Sequence, residues 1–198
     1  MPLDTTMETY TGRRVDLALP RPSSICIEDI AWHLSRQARF LGATTSGNVY
    51  SVAQHSVIVL NRVRATVRDP NLCLLICALL HDGHEAYIGD IIRPMGRLLE
   101  LRLPLLRLKS KLQHAIYKGL LKNWRYGGGQ FEEYTGDIIH QADNWAGMYE
   151  AYHLMHSKGN WYTNPVHLEE EFILRTFIVW TPQQAHDAFL SHYRDLTS

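Results

Sequence analysis

A chain of 198 residues is long enough to bury one hydrophobic core, and 45% hydrophobic and 20% charged residues are ordinary for a globular protein. Lysine plus arginine and aspartate plus glutamate both total 20, so the formal net charge is zero and no overall basic character favours a nucleic acid polymer as partner. We expect a single domain over residues 1–198 whose ligand is a small molecule held by local charges.

The cysteines and the N-terminus indicate the compartment. Cys26, Cys73 and Cys77 are odd in number, and two of them lie in an apolar run, so we expect reduced core residues rather than a disulfide framework. Residues 1–5 lack the charged-then-apolar pattern of a signal peptide. The longest apolar run is about half of what a bilayer span needs. We therefore expect a cytoplasmic protein without membrane contact.

Apolar residues recur at helical spacing along most of the chain, which predicts an all-α helical bundle with short loops. The predicted helices span residues 27–41, 51–67, 69–80, 104–124, 131–156 and 181–196. The glycines at 127–129 predict a break between the fourth and fifth helices. Residues 172–180 are β-branched and aromatic, and fit either a short helix or a strand.

Capping signals define several helix starts. The Ser51–Gln54 segment has the composition of a capping box, in which the two side chains satisfy each other's backbone amides. His55 then lies in the first turn, where the helix dipole favours the neutral imidazole that binds metals. The Thr181–Gln184 segment predicts a second box. Pro70 and Pro104 are expected at the first positions of the third and fourth helices.

The apolar run Leu72–Leu80 ends abruptly in His81, Asp82, Gly83, His84 and Glu85. Ionisable groups at the end of a buried run are costly unless a metal ion turns them into ligands. His55 and Asp143 lie on other predicted helices and supply further ligands of the kind that Zn²⁺, Co²⁺, Mn²⁺ and Fe²⁺ accept. Spacing alone leaves open that His55 and Asp143 have structural roles.

The same residues carry a resemblance to a known family. The pattern resembles the HD-domain superfamily of metal-dependent phosphohydrolases, which is all-α, at His55, His81, Asp82 and Asp143. Residues 50–57 and 79–94 are similar to small single-domain members, which include bacterial 5′-deoxynucleotidases and phage dATP triphosphohydrolases. The resemblance covers about residues 8–155.

The resemblance implies a role for each matching residue. The metal ligands would be His55, His81, Asp82 and Asp143. Glu85 would position or deprotonate the attacking water, and Asp90 would assist it or bind the sugar. Arg39 would bind a phosphate, because a guanidinium fork matches phosphate oxygens. Phe40 would contact the sugar or base, and Pro94 would lie in the pocket wall.

Three positions depart from the family pattern and affect the expected substrate contacts. Relatives often have a lysine shortly after the proline, and here Arg97 would take that role. A basic residue often precedes the last aspartate by one turn, and here it is His140. His84 stands where relatives usually have a small residue. Three roles stay open for His84: a partner of the metal ligands, a hydrogen-bond donor to phosphate, or a surface residue. We favour the surface residue.

The implied reaction is hydrolysis of dATP at the α-phosphate, which releases deoxyadenosine and triphosphate. A divalent transition metal ion, Zn²⁺, Co²⁺ or Mn²⁺, would be the cofactor, with additional Mg²⁺ on the substrate phosphates. Arg93, Arg97 and Lys109 would serve the triphosphate tail, although Lys109 also fits a solvated helix face. The resemblance further implies a homo-oligomer, in the host cytoplasm if the gene is phage-encoded.

Three rival functions stay open. A cyclic-dinucleotide or cyclic-nucleotide phosphodiesterase would share the metal chemistry, but such enzymes generally carry further histidines for a second metal, which we do not assign in this sequence. A 5′-deoxynucleotidase acting on dNMPs would use the same metal ligands and need less positive charge beyond the first phosphate. A non-enzymatic, metal-stabilised helical interaction module would keep the metal and need no water-activating carboxylate at Glu85.

Overall fold

A computed structural model of the chain describes residues 4–121, 129–161 and 166–198, with the backbone alone for 129–134. The fold is mostly helical, with 62% helix and 4% strand, which agrees with the predicted all-α class. A short antiparallel pair precedes the helices, with β1 at Thr6–Glu8 and β2 at Arg14–Asp16. Gly12 turns between them at a φ of 78°, a conformation that favours glycine. No helix among the described residues is long and apolar enough to cross a membrane.

The helices follow in chain order and are joined mostly by short connections. They are α1 (Ile27–Leu34), α2 (Val52–Thr66), α3 (Leu72–Leu79), α4 (Glu85–Ile88), α5 (Arg93–Gly96), α6 (Leu99–Leu120), α7 (Gly129–Leu154), α8 (Glu170–Ile173) and α9 (Pro182–Thr197). Two 3-10 turns lie at Pro22–Ser24 and Arg39–Gly42.

The core forms around α2 and α3. α2 packs against α3, α7 and α9, and α3 in turn packs against α7 and α9. The side chains from Leu74 to Leu80 are buried, as expected for a central helix, whereas Leu72 at the start of α3 is 60% exposed. Because α3 ends inside this core, the residues that follow it enter the interior of the protein next to α2 and α7.

One capping box forms in full and the other only in part. Thr181 and Gln184 bond reciprocally at the start of α9. At α2, the Ser51 hydroxyl accepts a hydrogen bond from the Gln54 amide, but the Gln54 side chain turns away. It bonds instead to the carbonyl of Ile178 and the amide of Trp180. The segment 174–180 is thereby held along the start of α2 without regular structure, and α8 precedes it.

Several predicted helix ends are wrong. Asn71 caps α3 by accepting a hydrogen bond from Leu74, so Pro70 lies before the cap. Pro104 lies inside α6, which begins five residues earlier at Leu99. The first helix ends at Leu34 instead of residue 41, because a separate turn forms over residues 39–42. Of the predicted glycine break, positions 127 and 128 lie outside the described residues, and α7 begins at the third glycine.

Leu79 allows a test of the core with a matched control in the same helix. The Leu79→Ala substitution removes a fully buried side chain and should lower the free energy of unfolding by about 2–5 kcal/mol through lost burial and a residual cavity. Leu72→Ala, at an exposed position, should change it by less than about 0.5 kcal/mol. Chemical denaturation measures both. Equal losses in the two variants would contradict a central α3.

Candidate metal centre

The four predicted ligands come together although they arrive from three parts of the chain. His55 lies in the first turn of α2, His81 and Asp82 follow α3, and Asp143 lies in α7. The Nε2 atom of His55 is 3.2 Å from Nε2 of His81, 3.2 Å from Oδ1 of Asp143 and 3.5 Å from Oδ2 of Asp82. His81 Nε2 is also 3.2 Å from Oδ2 of Asp82. These distances place four candidate ligand atoms around one point.

Hydrogen bonds behind the two imidazoles define which nitrogen faces that point. His55 Nδ1 lies 2.5 Å from Oε1 of Glu150, and His81 Nδ1 lies 2.9 Å from the carbonyl oxygen of Ala78. Both partners are acceptors, so in the neutral form that binds metal each ring would carry its hydrogen on Nδ1 and turn the Nε2 lone pair inward. Two lone pairs and two carboxylates then face one another, which fits a divalent cation bound by mixed nitrogen and oxygen ligands.

The charges of the centre are strongly perturbed. Burial opposes a charge on His55, but the Glu150 carboxylate and the hydrogen bond with Asp143 hold the pKa of His55 well above its ordinary value. Burial likewise opposes the charge on Asp82, yet His81 and His55 hold the pKa of Asp82 well below its ordinary value. The pKa of Asp143 is also lowered, because the hydrogen bond from His55 outweighs burial. The carboxylates thus stay ionised, and a proton on His55 competes with a cation for the centre.

Glu150 is a further residue of the candidate centre, and the sequence analysis missed it. Its side chain is fully buried and binds two cationic groups, His55 through Oε1 and Arg39 through Oε2 at 3.2 Å from Nε. Burial raises the pKa of Glu150, but His55 and Arg39 outweigh it and the net pKa is lowered. The available signal was spacing, because Glu150 lies seven residues after Asp143 and so on the same face of α7.

Arg39 is aimed by an unusual turn. Its amide donates to the carbonyl of Tyr50, so the chain before the turn runs alongside the start of α2. Phe40 and Leu41 then adopt φ values of 54° and 53°, a left-handed conformation that costs on the order of 1–3 kcal/mol for such residues. The turn directs the Arg39 guanidinium inward, with NH1 3.7 Å from Oδ2 of Asp82.

Glu85 is a buried carboxylate beside the ligands. It is 4% exposed, its Oε2 has no hydrogen-bond partner among the described residues, and its Oε1 lies 3.8 Å from Nζ of Lys109. Burial, then the neighbouring charges of Asp82 and Asp90, raise the pKa of Glu85 well above its ordinary value. A carboxylate with a raised pKa in a cleft has the property that a general base at neutral pH requires.

The position of Glu85 is held by α1 and by the segment that follows it. The Gln37 side-chain amide donates to the Glu85 carbonyl at 2.9 Å, and His33 Nδ1 lies 2.7 Å from the carbonyl of Ala86. The Tyr10 amide donates to the other nitrogen of His33, which leaves the hydrogen on Nδ1. These bonds attach the short helix α4 to α1 and fix the backbone that carries the carboxylate.

A cavity of about 520 Å³ opens on the centre. Acidic, cationic and apolar side chains share its lining, which consists of Arg39, Phe40, Leu41, Asp82, Glu85, Asp90, Ile91, Ile92, Arg93, Pro94, Lys109, Asp143, Met155 and Trp161. Phe40, Pro94 and Asp90, to which the resemblance assigns substrate or catalytic roles, are thus among the lining residues, and their roles stay predictions. Burial raises the pKa of Asp90. The charge of Arg39 opposes this shift, and the charge of Asp82 adds to it.

Two predicted substrate residues lie elsewhere. Arg97 ends the short helix α5 and is exposed, and it does not line the cavity. His140 is exposed on α7 and contacts Asn144. It precedes Asp143 by three residues, so the helix directs its side chain about 60° away from that of Asp143, towards solvent. The cationic groups that do line the cavity besides Arg39 are Arg93, whose NH2 lies 3.1 Å from Oδ2 of Asp143, and Lys109.

The favoured surface reading of His84 is also wrong. His84 is 7% exposed and lies under α6, where Nδ1 contacts Oε1 of Gln113 at 3.0 Å. Burial lowers the pKa of His84. The reason is the tight turn after α3, which directs the side chain back into the protein instead of out to solvent.

The Glu150 contact predicts a measurable effect on metal affinity. Glu150→Gln removes the charged acceptor that orients His55, so we expect the dissociation constant for Zn²⁺ or Mn²⁺ to rise about tenfold or more. Isothermal titration calorimetry measures it, with the exposed Glu100→Gln as control. Thermal unfolding of the variant checks that it is folded. An unchanged affinity in a folded Glu150→Gln protein would contradict the role given to this carboxylate.

The chain is similar to known proteins over part of its length. No protein-family profile matches it. It is 42% identical over 85 residues to RCAP_rcc00048 of Rhodobacter capsulatus and 36% identical over 93 residues to YfdR of Escherichia coli K12, both uncharacterized proteins. The matches span 43% and 47% of this chain and the same shares of the relatives, so the chain covers less than half the length of each.

Proposed function

We propose that this protein is a metal-dependent phosphohydrolase of the HD-domain type that acts on deoxynucleotides. The observation that carries the proposal is the convergence of four mixed nitrogen and oxygen ligands on one cavity, His55, His81, Asp82 and Asp143. The same cavity is lined by a carboxylate with a raised pKa, Glu85, and by a guanidinium, Arg39. Metal ligands, a base and a phosphate-binding group are the parts that phosphate-ester hydrolysis needs.

The ligand set suits Zn²⁺, Co²⁺ or Mn²⁺, and Mg²⁺ would accompany the substrate phosphates. A bound ion would lower the pKa of water and polarise a phosphoryl oxygen. Glu85 takes the proton of the attacking water, because a carboxylate whose pKa is raised is a stronger base than an ordinary one. Water oxygen bonds to phosphorus while the bond from phosphorus to the 5′ oxygen breaks, and the 5′ oxygen takes a proton from solvent and leaves as the nucleoside hydroxyl.

Arg39 holds the phosphate in the proposed reaction. The ion pair with Glu150 fixes its guanidinium through Nε, and the terminal nitrogens point towards the cavity side, with NH1 3.7 Å from Asp82. That separation exceeds a hydrogen bond, so a phosphate oxygen competes well for this donor. A guanidinium held by a buried partner loses little conformational entropy on binding, which strengthens the contact.

The lining suits a nucleoside as well as a phosphate. Phe40, Leu41, Met155 and Trp161 offer apolar and aromatic surface for a sugar and a base. Arg93 and Lys109 offer positive charge beyond Arg39, and this favours a triphosphate such as dATP, cleaved to deoxyadenosine and triphosphate. A specific observation favours the monophosphate alternative. Arg93 and Lys109 each lie next to a carboxylate of the centre, Asp143 and Glu85, which partly neutralises them.

A leucine-rich surface supports the proposed homo-oligomer. Met95 and several leucines at the start of α6 are exposed, with Leu99 at 83% and Leu103 at 61%. Contiguous exposed apolar surface of this kind is uncommon on monomers and typical of protein interfaces. We therefore include self-association through the start of α6 in the proposal.

Glu85 separates an enzyme from a metal-stabilised module. Glu85→Gln should retain the ion at His55, His81, Asp82 and Asp143 and lose about 10²–10⁴-fold in turnover, because the amide cannot accept the proton. Chromatography of dATP and dAMP reactions measures turnover, and metal analysis measures the bound ion. The exposed Glu171→Gln is the control.

The products decide among the candidates. Deoxyadenosine and triphosphate from dATP would support the preferred reaction, and inorganic phosphate from dAMP with dATP untouched would support the 5′-deoxynucleotidase. No hydrolysis of either substrate by metal-loaded protein would refute the proposed reactions and leave the non-enzymatic module. Full activity in Glu85→Gln would refute the role of Glu85 as the base.

Self-association has its own test. Leu99→Glu combined with Leu103→Glu should yield a species of 22.8 kDa by light scattering, because charge on both sides of the contact repels. The unmodified chain should have a multiple of that mass. Leu174→Glu, at a site 76% exposed on another part of the surface, is the control. A monomeric unmodified chain would contradict the proposed interface.

A further inference from the structure

The start of α6 is a helix that the described part of the chain leaves uncovered. Every residue from Arg97 to Pro104 is exposed, so more than one full turn of α6 packs against nothing among the described residues. The apolar side chains of this stretch are Leu98, Leu99, Leu101 and Leu103. A helix whose apolar side chains surround its axis is normally buried, so we expect a partner to cover it.

Residues 93–107, which we call the arm, are attached to the cavity at both ends. Arg93 lines the cavity at the start of α5, and Lys109 lines it two residues beyond the arm on α6. The helix carries its first residue, Leu99, about 15 Å along its axis away from Lys109. A partner that covers the arm therefore also lies at the mouth of the cavity.

The arm carries cations that its own cavity does not use. Arg97, Arg102 and Arg107 do not line the cavity, and no ion pair joins them to another described residue. Glu100 is the one acidic residue of the arm. The arm therefore presents leucines together with a surplus of positive charge.

The cations of the cavity beyond Arg39 are already partnered. Arg93 NH2 lies 3.1 Å from Oδ2 of Asp143, and Lys109 Nζ lies 3.8 Å from Oε1 of Glu85. Four carboxylates and three cations line the cavity, so its own side chains leave it negative. A triphosphate tail needs cationic donors that are not offset in this way.

We propose that the arm of a second copy of this chain covers the mouth of the cavity and contributes Arg97 to the binding of the triphosphate. The inference rests on the proposed function and on its self-association. In a two-fold pair each arm meets the same surface of the other copy, and with the axis across the helices the two α6 starts run antiparallel. With the axis near residue 102, the middle of the exposed leucines, Arg97 of the partner subunit lies beside Arg107 and next to Lys109.

Charge favours a second copy as the occupant. The arm is cationic and the cavity that it covers is negative, so each arm is attracted to the cavity of the other copy. Phosphate oxygens between Arg97 of the partner subunit and Lys109 offset the repulsion of these two cations. A monophosphate held by Arg39 ends before the arm, so the contact selects dATP over dAMP.

Mixed oligomers test whether Arg97 acts on the other copy. Arg97→Ala should raise the KM for dATP about tenfold with little change in kcat, because a charged contact to bound phosphate is lost. The exposed Arg68→Ala, beyond the far end of α2, is the control. Glu85→Gln inactivates its own cavity and keeps its arm.

The two variant chains are then co-expressed with different affinity tags, which verify that mixed oligomers form. If copies pair at random, the mixture should show about a quarter of the unmodified activity at low dATP concentration, because the arm of the Glu85→Gln copy completes the cavity of the Arg97→Ala copy. About a twentieth of that activity, the value for unshared sites, would overturn the proposal. So would an unchanged KM in Arg97→Ala. The proposed function would still stand if the unmodified chain hydrolysed dATP.

Cross-linking tests the pairing without relying on activity. When Arg97→Cys and Arg107→Cys chains are mixed, a short bismaleimide should join them into a dimer, and either variant alone should give much less. No cross-link in the mixture would overturn the antiparallel pairing. If neither dATP nor dAMP is hydrolysed, the proposed function fails, whereas a cross-link specific to the mixture would still support the shared interface.

Discussion

The ion pairs of Glu150 are the constraint on which the candidate centre depends. A carboxylate with no solvent exposure needs partners for both oxygens, and loss of one partner in such a pair costs on the order of 3–5 kcal/mol. Its partners are His55 of α2 and Arg39 of the turn before α2. One side chain thereby ties α7 to two other segments, orients a candidate metal ligand and holds the guanidinium that is proposed to bind phosphate.

The surroundings of neighbouring carboxylates in this centre shift their pKa values in opposite directions. Asp82 and Asp143 lie against imidazoles, which lower their pKa values and keep them ionised despite burial. Burial and the charges of Asp82 and Asp90 raise the pKa of Glu85. Environments that separate the pKa values of adjacent acids are the usual way in which a site assigns one acid to binding and another to proton transfer.

Backbone turns and hydrogen bonds hold the side chains of the centre in position. The left-handed residues Phe40 and Leu41 reverse the chain so that Arg39 points inward while Phe40 lines the cavity. On the other side, Gln113 of α6 bonds to the turn after α3 at both Leu80 and His84. The turn that carries the candidate ligands is therefore held by a helix distant in sequence, and the short helix α4 that follows it is held by Gln37, in the segment after α1.

Local sequence determined the helical class, the buried α3 and the caps at Ser51 and Thr181, because periodicity and capping depend on residues three or four apart. The resemblance named His55, His81, Asp82 and Asp143, which the structure brings together, although their roles remain predictions. Tertiary structure alone revealed Glu150, the burial of His84, and the absence of Arg97 and His140 from the cavity. The physical reason is distance along the chain. The His55–Glu150 contact joins residues 95 positions apart, and only helix docking decides which side chain of a helix faces such a partner.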